Sequence, residues 1–232
     1  AVINHSCYPG DSSLPDGVTK AGTFYERVYA GIDAVVVREP TSLANVLPFN
    51  GGAQLGFDSL PRFLAAHGAS NVPKCRKLVL GGSVSWTADM VNCFAELAVW
   101  MRGQGYAIEV LSGAKALLAG DEVGFVAAMV KALQQRQVSY ALLFPLSERE
   151  WLEAIGSASL LVSGRFHYSI AAAFQQVPFL VAESNTAKMA ALLDDLGLEA
   201  SLVALSRRDY SQSIEKARCL LVGENVGICP SG

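Results

Sequence analysis

The stretch Ala158-Ser159-Leu160-Leu161-Val162-Ser163-Gly164-Arg165-Phe166-His167 decides the reading of this chain. Its first five residues form an apolar run that reads as a buried strand. Tyr168 to Gln176 reads as a helix. A cation and a titratable ring therefore stand where a strand hands over to a helix. In an open parallel sheet, ligands bind outside the carboxyl ends of the strands. A helix start also presents backbone N–H groups that favour anions. Arg165 and His167, two residues apart at such a place, point to an anionic substrate and to proton transfer.

Working outward, the same alternation continues in both directions. Towards the carboxyl terminus come a strand at Pro178–Ala182, a helix at Thr186–Leu196, a strand at Ser201–Ala204 and a helix at Asp209–Leu220. Towards the amino terminus lies a helix at Ser147–Ile155, with Ser147 as cap and Glu150 at capping-box spacing. A strand at Tyr140–Phe144, stopped by Pro145, precedes it. Before that stand a helix at Val123–Gln134, started by Asp121 or Glu122, and a strand at Ala107–Leu111. Ala88 to Arg102 carries Met90, Val91, Phe94, Leu97, Ala98 and Met101 at helical spacing. Lys77-Leu78-Val79-Leu80 is a strand ended by Gly81-Gly82-Ser83. Short apolar strands alternating with helices indicate an α/β fold: a doubly wound parallel sheet covered on both faces, Rossmann-like, over residues 73–232.

Residues 1–72 are less regular. Ala1 to Asn4 is strand-like, Pro9 to Asp16 is a loop, and Thr19 to Ala30 is a helix with Phe24, Val28 and Tyr29 inward. Ala34 to Val37 is a strand ending at Arg38, and Thr41 to Leu47 a short helix begun near Thr41 or Ser42. Gln54 to Phe57 is a weak strand followed by Asp58. Pro61 to Ala66 is helical, and Gly68 to Arg76, with Pro73, is the expected linker. These residues are expected to be the remainder of an amino-terminal α/β lobe. The chain opens on Ala rather than Met, which is expected to reflect missing upstream sequence.

The 232 residues are 51% hydrophobic and 17% charged, enough apolar material for a core. The formal net charge of −3 leaves no basic surplus for a phosphate backbone, so nucleic acid is not an expected partner. A small anion pocket needs only a few placed cations. The scattered Cys7, Cys75, Cys93, Cys219 and Cys229 read as free thiols of a reducing compartment, and the cytoplasm is the expected location. No apolar run approaches the ~20 residues of a membrane span; peripheral membrane association and oligomeric state stay open. No metal-ligand spacing, nucleophile elbow or carboxylate pair is visible, so neither a metal nor a cofactor is expected.

Several other residues sit where chemistry is expected. Arg38 ends an apolar strand and reads either as an anion clamp or as a salt-bridge partner of Glu39 or Asp58. Gly82 and Ser83 follow a strand, where glycine permits close backbone approach and serine can donate to phosphate. Gly164 shares the Arg165 turn. Ser184 and Asn185 follow the next strand, as helix caps or as polar groups beside Arg165, with Lys188 one helical turn on. His5, just past a strand-like run, is the weaker histidine candidate. His67 at a helix end reads as surface.

These residues together resemble a known family. Ser163-Gly164-Arg165-Phe166-His167, Ala171 to Ala173, Val177-Pro178-Phe179, Lys188 and Leu196-Gly197-Leu198 are similar to the carboxyl-terminal signature of polysaccharide pyruvyl transferases. Ala34-Val35-Val36-Val37-Arg38-Glu39-Pro40-Thr41-Ser42 is similar to that family's strand ending in Arg-Asp/Glu-x-x-Ser, and Gly56-Phe57-Asp58-Ser59 to its following Asp segment. The family's opening Gly-Asn-x-Gly-Asp segment is absent, which suggests a fragment or a shortened member. The resemblance implies a glycosyltransferase-B-like enzyme with a partial amino-terminal lobe. It would move a pyruvyl group from phosphoenolpyruvate, its donor substrate, onto two hydroxyls of a surface polysaccharide. A ketal forms and phosphate leaves. Arg38 and Arg165 would grip the donor, His167 would shuttle protons, and Ser184 would orient the donor. A nucleotide-sugar glycosyltransferase or epimerase on the same architecture is the alternative, and a non-catalytic relative a third reading.

Overall fold

The computed structural model describes residues 1–7, 25–67, 72–83, 86–113, 120–182, 188–199, 203–205 and 212–222. By its internal contacts the chain groups into two units, Ala1–Ser59 with Asn185–Asp195, and Leu60–Ser184 with Leu196–Gly232. The expected loop at Pro9–Asp16, Phe24, the head of the 68–76 linker, Glu183 to Thr186, Ser201 and the His67 side chain lie outside the described residues.

The second unit is built on a six-stranded sheet. Its members are β4 (Lys77–Ser83), β5 (Ala107–Leu111), β6 (Ala141–Leu143), β7 (Leu160–Gly164), β8 (Phe179–Ala182) and β9 (Ala204–Leu205), in the order β6-β5-β4-β7-β8-β9. Every pairing is parallel. The order runs outward from β4 in one direction and from β7 in the other. The reversal between these two strands is the topological switch point at which doubly wound sheets open a crevice. β4, β7 and β8 are buried along their whole length, as parallel strands covered on both faces must be.

Helices connect these strands: α3 (Leu60–His67), α4 (Ala88–Gly103), α5 (Gly120–Gln135), α6 (Glu148–Gly156), α7 (Phe166–Phe174) and a final helix at Ser213–Val222. The starts follow from local chemistry. The Thr87 side chain accepts the Met90 N–H at the head of α4. Ser147 accepts the Glu150 N–H at 3.2 Å, while the Glu150 carboxylate takes the Leu146 N–H at 2.8 Å. That is the expected capping box, displaced by one residue in its return bond. Gly105, at φ +85°, turns the chain from α4 into β5 in a conformation that glycine adopts without strain. Leu78, Leu80, Phe94, Met101, Ile108 and Phe125 lie at the centre of the core, with the Phe94 and Phe125 rings edge to face at 6.2 Å. Lys77, polar at the start of an otherwise apolar strand, is paired with Glu109 at 2.7 Å.

The first unit holds a three-stranded parallel sheet of β1 (Val2–His5), β2 (Val35–Val37) and β3 (Gln54–Leu55) in that order. Helical residues 25–29 (α1) and α2 (Pro40–Val46) belong to the same unit. α8 (Lys188–Asp195) groups with it as well, so the helix of 213–222 is α9. Cys7, Tyr29, Val35, Val37 and Val46 form its core.

Three boundaries differ from the sequence expectation. β7 runs to Gly164 and α7 starts at Phe166, two residues earlier than periodicity suggests, so Arg165 itself is the cap residue. β4 continues through Gly81-Gly82-Ser83 instead of ending in a turn, with Gly81 paired to Leu111 and Ser83 to Gly164 across a register shift. Finally α3, read with the first half of the chain, packs against α7 in the second unit. Among the described residues, no helix is long and apolar enough to cross a membrane.

Candidate functional site

The carboxyl ends of β4, β5 and β7 meet around one buried carboxylate, Glu122. It sits in the first turn of α5 and is 1% exposed. One oxygen accepts the Gly113 N–H at 3.3 Å. The other accepts the Arg165 Nη2–H. Gly82 lies against the same carboxylate: a Cβ there would fall 2.9 Å from Oε2. A buried charge needs a paired charge and hydrogen bonds, and Glu122 has both.

Arg165 is fixed at both ends. Its backbone N–H donates to Ser163 Oγ at 3.0 Å, and that hydroxyl donates to the Gly82 carbonyl at 3.0 Å. Its side chain stays 26% exposed. Glu122 occupies Nη2, whereas Nε and Nη1 carry no hydrogen bond to any described residue. No side chain caps α7 at this residue. His167 follows in the first turn of the helix, exposed, its ring edge to face with Phe166 at 5.5 Å. A guanidinium with two nitrogens bonded to no described residue, a helix start that its own Arg165 side chain does not cap and an exposed imidazole thus share one turn. That arrangement suits an anionic group and proton exchange beside it.

The buried side of the edge is packed solid. Tyr168 fills the space beside Gly81 and Gly113, where added Cβ atoms would lie 2.7 Å from its ring and 2.3 Å from its hydroxyl. Its ring meets Trp151 edge to face at 5.1 Å. Burial first, then the Glu122 carboxylate, push the Tyr168 phenol upward, so it stays protonated. Gly82, Ser83 and Gly164 are all buried. Gly164 is small because Ser83 occupies its side-chain space, with Oγ 2.4 Å from the position of an added Cβ. Gly82, Ser83 and Gly164 thus pack the edge from within, against the Glu122 carboxylate and one another.

Arg38 belongs to the first unit and has a different setting. Its Nε donates to Ser6 Oγ and lies 3.4 Å from Glu39, and its Nη1 reaches Asp58 at 3.0 Å. The guanidinium is 12% exposed and both carboxylates 3%. Ser42 Oγ donates to Glu39 and also takes the Cys7 N–H at 2.7 Å. The two salt-bridge readings of Arg38 therefore both hold. Because two desolvated carboxylates already pair with it, an incoming anion would compete with them. His5 is half-buried, its ring 5.9 Å from that of Tyr29. Lys188 opens α8 in this same unit. Ser184 and Asn185 lie outside the described residues.

The sequence reading missed Glu122 as part of the site, taking it for a helix-start signal. The available clue was an acidic residue heading a largely apolar helix. Among the described residues, no three His, Cys, Asp or Glu side chains gather to hold a metal ion.

No protein-family model matches the chain, and no curated protein matches it by sequence. Solved structures do match by fold. The chain is similar to a UDP-forming α,α-trehalose-phosphate synthase from Burkholderia xenovorans, with a TM-score of 0.58 and 11% identity over 94% of this chain and 59% of that one. It is similar to a UDP-GlcNAc 2-epimerase from Neisseria meningitidis bound to UDP-GlcNAc, with a TM-score of 0.55 and 11% identity over 97% of this chain and 61% of that one. A trehalose-phosphate synthase from Burkholderia vietnamiensis matches at a TM-score of 0.56 and 9% identity over 94% and 58% of the two chains. The chain thus spans about three fifths of the length of these structures. Over the part it spans, the chain has a Rossmann-like α/β fold of the glycosyltransferase-B type.

Proposed function

We propose that the chain is the donor-binding part of a transferase that uses an activated, phosphate-bearing donor, and that the donor is a nucleotide sugar. One observation carries this reading: Arg165 stands at the switch point with Nε and Nη1 bonded to no described residue, at the head of a helix that its own side chain does not cap. A phosphate oxygen there would meet a charged donor and a partly positive helix end. The fold supports the nucleotide-sugar choice, since the similar synthase is UDP-forming and the similar epimerase is bound to UDP-GlcNAc. His167, exposed in the same turn, would exchange a proton with the acceptor hydroxyl or the leaving phosphate. Ser184, in the same unit as Arg165, is proposed to add a donor to the ligand, and the acceptor to be a saccharide. The unit of Leu60–Ser184 with Leu196–Gly232 would be the Rossmann-like donor domain, and the unit holding residues 1–59 the remainder of the other lobe.

Arg165-Phe166-His167 at a strand–helix junction also favours a second reading, pyruvyl transfer from phosphoenolpyruvate to two sugar hydroxyls. In that reaction both hydroxyl oxygens bond to the enol carbon, one proton goes to the methylene carbon, and the other leaves with phosphate. Arg165 would hold the carboxylate or phosphate of the donor.

Thermal unfolding with added ligand separates the two, because a ligand specific to the native state raises the melting temperature. Stabilisation by UDP-glucose or UDP-GlcNAc, lost in Arg165→Ala, is the expected result. Stabilisation by phosphoenolpyruvate alone would replace the first reading with the second. Stabilisation by none of them would reject both in favour of a non-catalytic relative.

A further inference from the structure

Glu122 touches the ends of three neighbouring strands: Gly82 in β4, Gly113 just past β5, and Arg165 just past β7. We propose that Glu122 is a positioning residue that orients Arg165 for the anionic group of the donor. This rests on the reading of Arg165 given above and names the residue that makes it work. An arginine side chain is long and has many rotamers, so a partly exposed one is a poor recognition element unless something holds it. Here the holder is a buried carboxylate that is itself held, by the Gly113 N–H on one oxygen and by the close wall of Gly82. The backbone end of Arg165 is held separately, through Ser163 to the Gly82 carbonyl. With one nitrogen pinned, Nε and Nη1 take a defined direction.

Two effects of Glu122 on anion binding oppose each other. Its negative charge weakens the pull of Arg165 on a phosphate. Its hydrogen bond removes the freedom that binding would otherwise have to remove. The pair is desolvated on the Glu122 side, 1% exposed, so geometry there is stringent, whereas the Arg165 side chain is 26% exposed and the charge effect is screened. Orientation therefore outweighs charge, and the carboxylate strengthens donor binding.

The test compares the unsubstituted chain with Glu122→Gln, Glu122→Asp, Arg165→Ala and the double variant Glu122→Gln/Arg165→Ala. Dissociation constants for UDP-glucose and phosphoenolpyruvate are measured by calorimetry, beside the melting temperature of each variant. Glu122→Gln should weaken binding of whichever probe the unsubstituted chain takes by roughly tenfold, about 1.4 kcal/mol. Glu122→Asp, which keeps the charge but draws it back by one methylene, should also weaken it. Adding Glu122→Gln to Arg165→Ala should cause no further loss of affinity, while restoring melting temperature lost when Glu122 stands unpaired. Unchanged or tighter binding by a folded Glu122→Gln overturns the positioning role alone. A melting temperature that falls with affinity unchanged makes Glu122 purely structural and also overturns it. Failure of the unsubstituted chain to bind either probe, or full binding by Arg165→Ala, overturns the proposed function and this inference with it.

Discussion

Replacing Gly82 with alanine tests the packing of the strand edge more sharply than any charge reversal. The new Cβ would lie 2.9 Å from Glu122 Oε2, 3.0 Å from Cδ and 3.1 Å from Oε1. A free carboxylate would swing aside at little cost. This one is 1% exposed, accepts the Gly113 N–H, and is paired with Arg165. It can move only by lengthening both bonds. Overpacking of this kind costs about 1–3 kcal/mol, and breaking a fully buried pair about 3–5 kcal/mol. Arg165 is partly hydrated, so the second figure is a ceiling that solvent screening lowers. A combined loss of about 2–3 kcal/mol follows, equivalent to roughly 5–10 °C in melting temperature for a chain of this size. Gly103→Ala is the control: it ends α4 with nothing within 4 Å of the added Cβ. It should leave the melting temperature unchanged or raise it slightly. Circular dichroism melts of the two variants decide the matter. A Gly82→Ala protein melting within about 1 °C of the unsubstituted chain would refute the claim that Glu122 is immobile.

Arg38→Met should destabilise the first unit by about 3–5 kcal/mol, because it strands two buried carboxylates, Glu39 and Asp58; urea unfolding followed by circular dichroism measures it. Lys74 donates to the Gly156 carbonyl at 2.8 Å and the Gln175 carbonyl at 2.9 Å, tying the ends of α6 and α7 together. Lys74→Met should cost about 1–3 kcal/mol in the same assay. Burial pushes the Cys93 thiol up from 9.0 to about 11. The folded state then keeps its proton where the unfolded state loses it, so this contribution is whole below pH 9 and is lost as pH rises towards 11. Stability should fall by about 2–3 kcal/mol across that window from this group. In Cys93→Ala the fall above pH 9 should be shallower by this group's share, the remainder coming from Cys7, Tyr25, Tyr29 and Tyr168, whose folded states also hold their protons more tightly; persistence of the full slope would count against it.

Much of the architecture was legible because the signals are local. Leu160-Leu161-Val162 and Lys77 to Leu80 are short apolar runs that only a covered parallel sheet accommodates, and Ser147 with Glu150 marks a helix start by its own hydrogen bonds. The turn carrying Arg165 and His167 was equally readable, since it needs only a strand followed by a helix. Tertiary structure decided which side chains answer those residues. Glu122 lies far from Arg165 in sequence, and no periodicity encodes that pairing; for Arg38 the sequence offered Glu39 or Asp58, and the fold engages both. Gly82 and Gly164 read as places for ligand approach, yet Glu122 and Ser83 stand where their side chains would be. The reason is geometric: a chain specifies its nearest-neighbour hydrogen bonds and its apolar period, whereas the occupant of a space between strands is chosen by whichever distant segment packs there.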